Sequence, residues 1–262
     1  MFKVSCIQIC SGKDIRKNLN YSKKLILKAI KQKSDLIITP ETSSIFGLNK
    51  TQLLKIATSM DKDIYLNEIR KISKKYKKWI LTCIIVKEGN KIKNRSVLIN
   101  YQGLIHAYYD KINMFDVTLS KKEKYFESKT FTAGKSLKTI NLPWGKLGMS
   151  ICYDLRFPNM YRKLAQKGSI FISAPSAFTE TTGKKHWHSL LRARAIENFC
   201  YIFAPAQYGK HWNKRKTYGH SLIISPDGKI LKELKKGAGV ISATIDPKLS
   251  RDLRKKIPSL KN

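Results

Sequence analysis

The sequence predicts a layered α/β fold built on mixed sheets. Short apolar runs of the buried-strand type recur along the chain, and in both halves they alternate with stretches of helical periodicity. The last third reads almost entirely as strands broken by Gly- and Pro-containing turns.

Val4 to Ile9 alternates and is β-branched enough for a first strand, and Asp14 to Gln32 then carries Leu19, Leu25, Ile26, Ala29 and Ile30 at helical spacing. Asp35 to Thr39 is a short run suited to a buried parallel strand, and a second helix is expected over about Asp61 to Lys77. Trp79 to Val86, Ser96 to Tyr101 and Leu104 to Tyr109 read as strands. The last two form a hairpin across Gln102-Gly103. A polar stretch from Thr118 to Ser136 separates these from strands at Leu137 to Leu142 and Lys146 to Ile151, joined by Pro143-Trp144-Gly145. A helix from Pro158 to Lys167, a strand from Ser169 to Ser173 and a helix from His186 to Asn198 follow. Strands at Tyr201 to Ala206, Gly219 to Ser225, Lys229 to Leu234 and Val240 to Thr244 complete the pattern, with Ser225-Pro226-Asp227-Gly228 as a turn. No internal repeat is apparent.

The 262 residues are 42% hydrophobic, enough for a large core, and no linker-like stretch divides them, so one domain over residues 1–262 is expected. Apolar runs such as Trp79 to Val86 fall short of the roughly 20 residues that cross a bilayer. The first ten residues read as a strand instead of a secretion signal, which makes a cytoplasmic address the expectation. Cysteines 6, 10, 83, 152 and 200 are odd in number and lack Cys-x-x-Cys spacing, which argues against a disulfide framework or a zinc knuckle.

The formal charge is +34. Nucleic-acid readers rely on Arg for bidentate contacts, whereas here 42 Lys outnumber 10 Arg and are spread along the whole chain. Together with 31 Ile, this is the composition that codon drift in an A/T-rich genome produces, and no specific nucleic-acid partner is expected. A basic, non-catalytic binding protein is the alternative from another function class.

Glu41, Lys111 and Cys152 each follow a predicted buried strand, where α/β proteins usually place their sites. Taken singly they have ordinary readings as a helix-entry cap, one of 42 lysines and a small core hydrophobe. The run Ser150-Ile151-Cys152-Tyr153-Asp154-Leu155-Arg156-Phe157-Pro158 is less ordinary, because it sends a strand into a sharp turn before a helix.

These residues resemble the nitrilase (carbon–nitrogen hydrolase) superfamily, whose members carry Glu, Lys and Cys in this order after three strands. Thr39-Pro40-Glu41, Tyr109-Asp110-Lys111 with Met114-Phe115-Asp116, and Cys152 to Pro158 match its three motifs, and the likeness spans nearly the whole chain. Glu127 matches a second glutamate of the family. Pro175 to Phe178, Thr182-Gly183, His186-Trp187, Leu190 to Asn198 and Tyr218 to Ser221 resemble the branch of deaminated glutathione amidases and ω-amidases. Gln207 to His211 with Lys214-Arg215 lies nearer the former. The resemblance implies a four-layer α-β-β-α sandwich with two mixed sheets, and a homodimer paired through the helix after Cys152 and the Trp187 to Asn198 helix. Asn113 departs from the family's usual His, and the sequence ends at Pro258 to Asn262 without the basic, aromatic tail of many relatives.

The residue types support the chemistry on their own terms. Amide hydrolysis needs a nucleophile, its base, an oxyanion stabiliser and a proton for the departing nitrogen. Cys152 supplies the nucleophile, Glu41 moves the protons, Lys111 and the Tyr153 backbone N–H offset oxyanion charge, and Glu127 holds Lys111 or Glu41 in position. The expected reaction converts a linear, carboxylate-bearing amide into acid and ammonia through a thioester. A deaminated glutathione amidase is the first reading, an ω-amidase acting on α-ketoglutaramate or another nitrilase-family amidase the second. Phe178, Thr182 and His186 are candidate substrate contacts, and neither a metal nor an organic cofactor is required.

Overall fold

The computed structural model describes residues 1–121 and 123–260. Lys261 and Asn262, the last of the C-terminal residues named above, lie outside them. The first half runs β1 (Phe2–Gln8), α1 (Ile15–Lys31), β2 (Leu36–Ile38), α2 (Lys50–Ile56), α3 (Ile64–Tyr76), β3 (Trp79–Glu88), β4 (Lys91–Ile99), β5 (Ile105–Asp110), β6 (Asp116–Thr118) and β7 (Lys124–Phe126). The second runs β8 (Lys138–Leu142), β9 (Gly145–Met149), α4 (Pro158–Gln166), β10 (Phe171–Ser173), α5 (Glu180–Asn198), β11 (Tyr201–Ala204), β12 (Tyr208–Lys210), β13 (Lys216–Tyr218), β14 (Ser221–Ile224), β15 (Ile230–Leu234), β16 (Gly239–Ile245) and α6 (Pro247–Lys256).

Two six-stranded sheets, β16-β1-β2-β3-β4-β5 and β15-β14-β11-β10-β9-β8, carry the fold, and two short hairpins, β6-β7 and β12-β13, stand apart from them. Each large sheet has a parallel centre, β1-β2-β3 or β9-β10-β11, with antiparallel strands on either side. Three parallel strands with helical crossovers followed by two antiparallel strands therefore occur twice without a repeat in the sequence, whereas β8 joins β9 through a turn and β16 reaches β1 from the far end of the chain.

Alternation along the strands assigns the layers. Val4, Cys6, Leu36, Ile38, Leu81 and Leu98 share one apolar cluster with Leu147, Met149, Phe171 and Phe203 of the other sheet. Ile7, Ile37, Ile80, Ile84, Val97 and Ile99 point the opposite way, onto Leu25, Ile26 and Ala29 of α1 and Tyr65, Leu66 and Ile69 of α3. On the far sheet, Met160, Tyr161 and Leu164 of α4 and Trp187, Leu191 and Ala195 of α5 are buried with its strands. The order is α-β-β-α.

Most predicted elements recur within a few residues, and the departures have local causes. The third strand continues through Lys87 and Glu88 and its partner begins at Lys91, because a tight turn at Gly89 closes a hairpin through charged residues that burial patterns do not mark. Helix α5 starts six residues before His186, where the Thr179 side chain caps it by accepting from Thr182 N. Helix α2 escapes helical periodicity because it has only seven residues. A reciprocal capping box between Asn49 and Gln52 fixes its start. Helix α6 begins at the Asp246 cap and Pro247, but its lysines and arginines hide an apolar face. The three-residue strands β6, β7, β12 and β13 are too short and polar to show a period. No helix is long and apolar enough to cross a membrane among the described residues.

Candidate active site

Lys111 leaves the end of β5, and β4 holds it there. Arg95 of β4 grips Asp110 through two bonds of 2.6 and 2.9 Å and also pairs with Glu88 at 2.7 Å. Lys111 N donates to Asn94 O at 3.0 Å, and Gly134 N donates to Lys111 O at 2.8 Å. A Cβ on Gly134 would lie 2.2 Å from Asp110 O, so only glycine lets that loop close on the strand end.

The Lys111 ammonium is 2% exposed and sits between two carboxylates, 2.9 Å from Glu41 Oε1 and 3.0 and 2.7 Å from the two oxygens of Glu127. Glu41 follows β2. Its Oε1 also accepts from Asn94 Nδ2 at 2.8 Å and its Oε2 from Ala177 N at 2.8 Å, while its backbone oxygen accepts from Gln207 Nε2 at 2.9 Å. Glu127 lies in a single 3-10 turn after β7 and accepts further from Phe115 N at 2.7 Å and Asn94 Nδ2 at 3.4 Å. Both carboxylates are held by several donors.

Cys152 stands at the head of a 3-10 turn, Cys152–Arg156, which links β9 to α4. Its φ of 50° is in the left-handed region that non-glycine residues rarely adopt, and its N–H is held by Pro175 O at 3.0 Å. The strain is secured by Asp154, whose buried carboxylate accepts from Ile151 N, Tyr109 hydroxyl, Asn113 N and Asn113 Nδ2 at 2.7–3.0 Å. Asn113, the departure from the family pattern, thus fastens the lysine loop to the cysteine turn.

Burial alone would raise the Glu41 carboxyl, but the charge and hydrogen bond of Lys111, the Cys152 thiol and the Arg215 charge hold it below the ordinary carboxylate range. Burial opposes the Lys111 charge, yet Glu127 and Glu41 keep this lysine protonated well past its usual range. Burial, followed by the Glu41 charge, pushes the Cys152 thiol up, so the resting pair is neutral thiol beside carboxylate. Asp154 is raised, first by burial, against its four donors.

These groups open into a cavity of about 690 Å³, lined among others by Phe46, Phe115, Tyr125, Phe178, Thr182 and Arg215. Of the three candidate contacts, Phe178 and Thr182 line it. His186 does not, and its Nδ1 lies 3.2 Å from Arg156 instead. Asn94 and Arg215 were not anticipated as site residues. Asn94 sits inside a strand of mixed polarity, and Arg215 within a Lys-Arg-Lys run, so neither carries a local signal.

The one group with metal-ligand chemistry among the described residues is His188, His220 and Glu233, whose ligand atoms lie within 4.8 Å of one another. It is not in the cavity lining. Glu233 Oε1 lies 3.0 Å from His188 Nε2 and 2.6 Å from His220 Nδ1, which accounts for all three as one hydrogen-bonded group.

A thiol, a carboxylate and a buried ammonium thus meet at one cavity, a grouping chemically suited to hydrolysing non-peptide carbon–nitrogen bonds, and comparison with known sequences gives that class of hydrolase. The sequence matches the family described as Carbon-nitrogen hydrolase over residues 3–255, and the chain belongs to that family. It is 36% identical over 264 residues to the deaminated glutathione amidase of Yersinia enterocolitica, covering 99% of this chain and 92% of that protein. Among solved structures it is similar to the Caenorhabditis elegans NitFhit protein, with a TM-score of 0.93 and 33% identity over 100% of this chain and 64% of that one. Saccharomyces cerevisiae Nit3, a member of branch 10 of the nitrilase superfamily, superposes with a TM-score of 0.87 and 28% identity, covering 98% of this chain and 94% of that one.

Proposed function

We propose that the chain is a cysteine-dependent amidase that cleaves a linear, carboxylate-bearing amide through a thioester, with deaminated glutathione as the leading substrate. The observation that carries this reading is the buried Lys111 bridging Glu41 and Glu127 beside a cysteine held at positive φ. Glu41 takes the thiol proton as Cys152 attacks the amide carbonyl and returns it to the departing nitrogen. It then draws a proton from water as that water attacks the thioester and passes it to the departing Cys152 sulfur, which restores thiol and carboxylate. Lys111 offsets the oxyanion, assisted by the Tyr153 N–H, since the Cys152 N–H is committed to Pro175. Glu127, through its two bonds to Lys111, holds the ammonium in place. A primary amide loses ammonia, whereas the γ-linked amide of deaminated glutathione loses an amine. The ω-amide α-ketoglutaramate is the alternative within this mechanism, and assaying the two side by side separates the readings.

The titration directions set the pH profile. Glu41 is held below its ordinary value, so its carboxylate persists to low pH and kcat/KM should fall only below about pH 4. Cys152 is held above its own, so no alkaline fall before about pH 9 should come from losing the neutral thiol. A kcat/KM profile with its acid midpoint between pH 6 and 7 would place Glu41 in another protonation state and remove it as the resting base.

We further propose a cytoplasmic homodimer joined through α4 and α5. Phe157, the cap of α4, and Ile196 of α5 are 38% and 43% exposed, and Phe157 lines a shallow groove of about 240 Å³ with Ile112, Leu137 and Met160. At +34 per subunit, repulsion opposes association and salt relieves it, so assembly should strengthen with ionic strength. Light scattering after size exclusion checks this. A monomer at micromolar concentration in both low and moderate salt rules the dimer out.

A further inference from the structure

His188, His220 and Glu233 stand outside the cavity lining, and the amide chemistry gives them no task. They come from three separate segments: His188 from the middle of α5, His220 from the turn between β13 and β14, and Glu233 from β15. Two contacts fix His220. Its backbone oxygen accepts from Trp187 Nε1 at 2.8 Å, and its ring stacks on Tyr218 with centres 4.1 Å apart. The His188 ring makes T-shaped contacts with His220 and Tyr218, at 5.2 and 6.0 Å. Both imidazoles are thereby aimed at one oxygen, Glu233 Oε1, which accepts from His188 Nε2 at 3.0 Å and from His220 Nδ1 at 2.6 Å.

Hydrogen bonds hold the three together, and the same atoms suit a metal ion. Around a tetrahedral zinc with bonds of about 2.0–2.1 Å, neighbouring ligand atoms lie about 3.3–3.4 Å apart. The three ligand atoms here lie within 4.8 Å of one another, so small rotations of the side chains reach that spacing. The charge of the chain selects among cations. At +34 it repels calcium or magnesium, which are held chiefly by charge and prefer sites made of oxygen alone. Two imidazoles with one carboxylate suit zinc, cobalt, nickel or copper, which bond strongly to nitrogen. No lysine or arginine competes for Glu233, whose ion pairs among the described residues are with the two histidines. All three side chains are partly exposed, which leaves water to supply a fourth ligand.

We propose that His188, His220 and Glu233 form a binding site for a divalent transition metal of the zinc class. The metal clips α5, whose first turn carries Thr182 of the cavity wall, to β15 and to the turn before β14. It takes no part in bond cleavage, so the site stands or falls apart from the amidase reading.

The test titrates the untagged 262-residue chain with cobalt(II) and zinc(II) chloride in the Cys152→Ala background, which removes the cavity thiol as a rival soft ligand. One equivalent of cobalt should bind and give the visible absorption of a four-coordinate nitrogen and oxygen site with no sulfur-to-metal band, and zinc should displace it. Zinc at about a hundredfold over its dissociation constant should raise the thermal midpoint by about 5 °C. His188→Gln and His220→Asn put an amide nitrogen where Nε2 and Nδ1 now stand, so each keeps a donor to Glu233 and loses the lone pair that binds metal. Asn also tolerates the φ of 53° at position 220, which protects the fold. Each should weaken binding at least about a hundredfold, beyond what loss of an outer-sphere partner costs, and Glu233→Gln should weaken it about tenfold or more. Unchanged affinity in any of the three variants, a sulfur-to-cobalt band, or no stoichiometric binding by the parent overturns the site.

Discussion

Cys152→Ala and Cys152→Ser are expected to lower amide turnover by at least about ten-thousandfold while the protein stays folded. The thiol is the atom proposed to bond the acyl carbon, and no other described cysteine lines the cavity. Either change is small and removes no charge. The turn is held by backbone and by Asp154, neither of which needs the sulfur, so the fold should be kept. Stopped assays of product release with circular dichroism as a fold control decide the matter, and substantial turnover in either variant would end the covalent mechanism. Mass spectrometry of the wild type during turnover should detect the acyl adduct that both variants lack.

Lys111→Met is expected to act on rate and stability together. Losing one oxyanion stabiliser lowers kcat by about a hundredfold or more. The ammonium also stands between two buried carboxylates, and deleting it leaves Glu41 and Glu127 facing each other without a cation, a loss on the scale of about 3–5 kcal/mol. Chemical denaturation should register that loss, and it should shrink at acid pH as the two carboxylates become protonated. Since the variant could fail to fold, Glu127→Gln supplies the second arm, keeping the Lys111–Glu41 pair and lowering kcat less. An effect of Lys111→Met on KM alone would make Lys111 a substrate-binding group and exclude the oxyanion role.

Glu41, Lys111 and Cys152, which meet at one cavity, were legible in the sequence because each follows a strand that burial patterns reveal, and the Cys152 turn is written in the step from Ile151 to Pro158. Asn94 was not. It faces the site from a strand reading Lys-Ile-Lys-Asn-Arg-Ser, in which polar side chains that serve function look like solvent-facing ones. The four short strands β6, β7, β12 and β13 escaped for a related reason, since three residues cannot establish a period. Yet they and the turn after β7 carry Tyr125 and Glu127 and flank Arg215. His186 shows the converse, a residue in the right motif whose ring turns to Arg156 and away from the cavity.

Glu41 and Lys111 follow strands of one sheet, Cys152 and Ala177 follow strands of the other, and the Glu41–Ala177 bond spans 136 residues. Contacts of such separation form late and slowly, because their loop entropy is lost before they return any stabilisation. Until the sheets meet, Glu41 lacks its Ala177 donor and Cys152 faces no carboxylate, so neither half of the chain can work alone. Gln207, whose side chain clasps Glu41 and Ser11, must also be in place. During synthesis Cys152 therefore has no carboxylate beside it until most of the polypeptide has emerged, and the assembled cavity is among the last features the folding chain acquires.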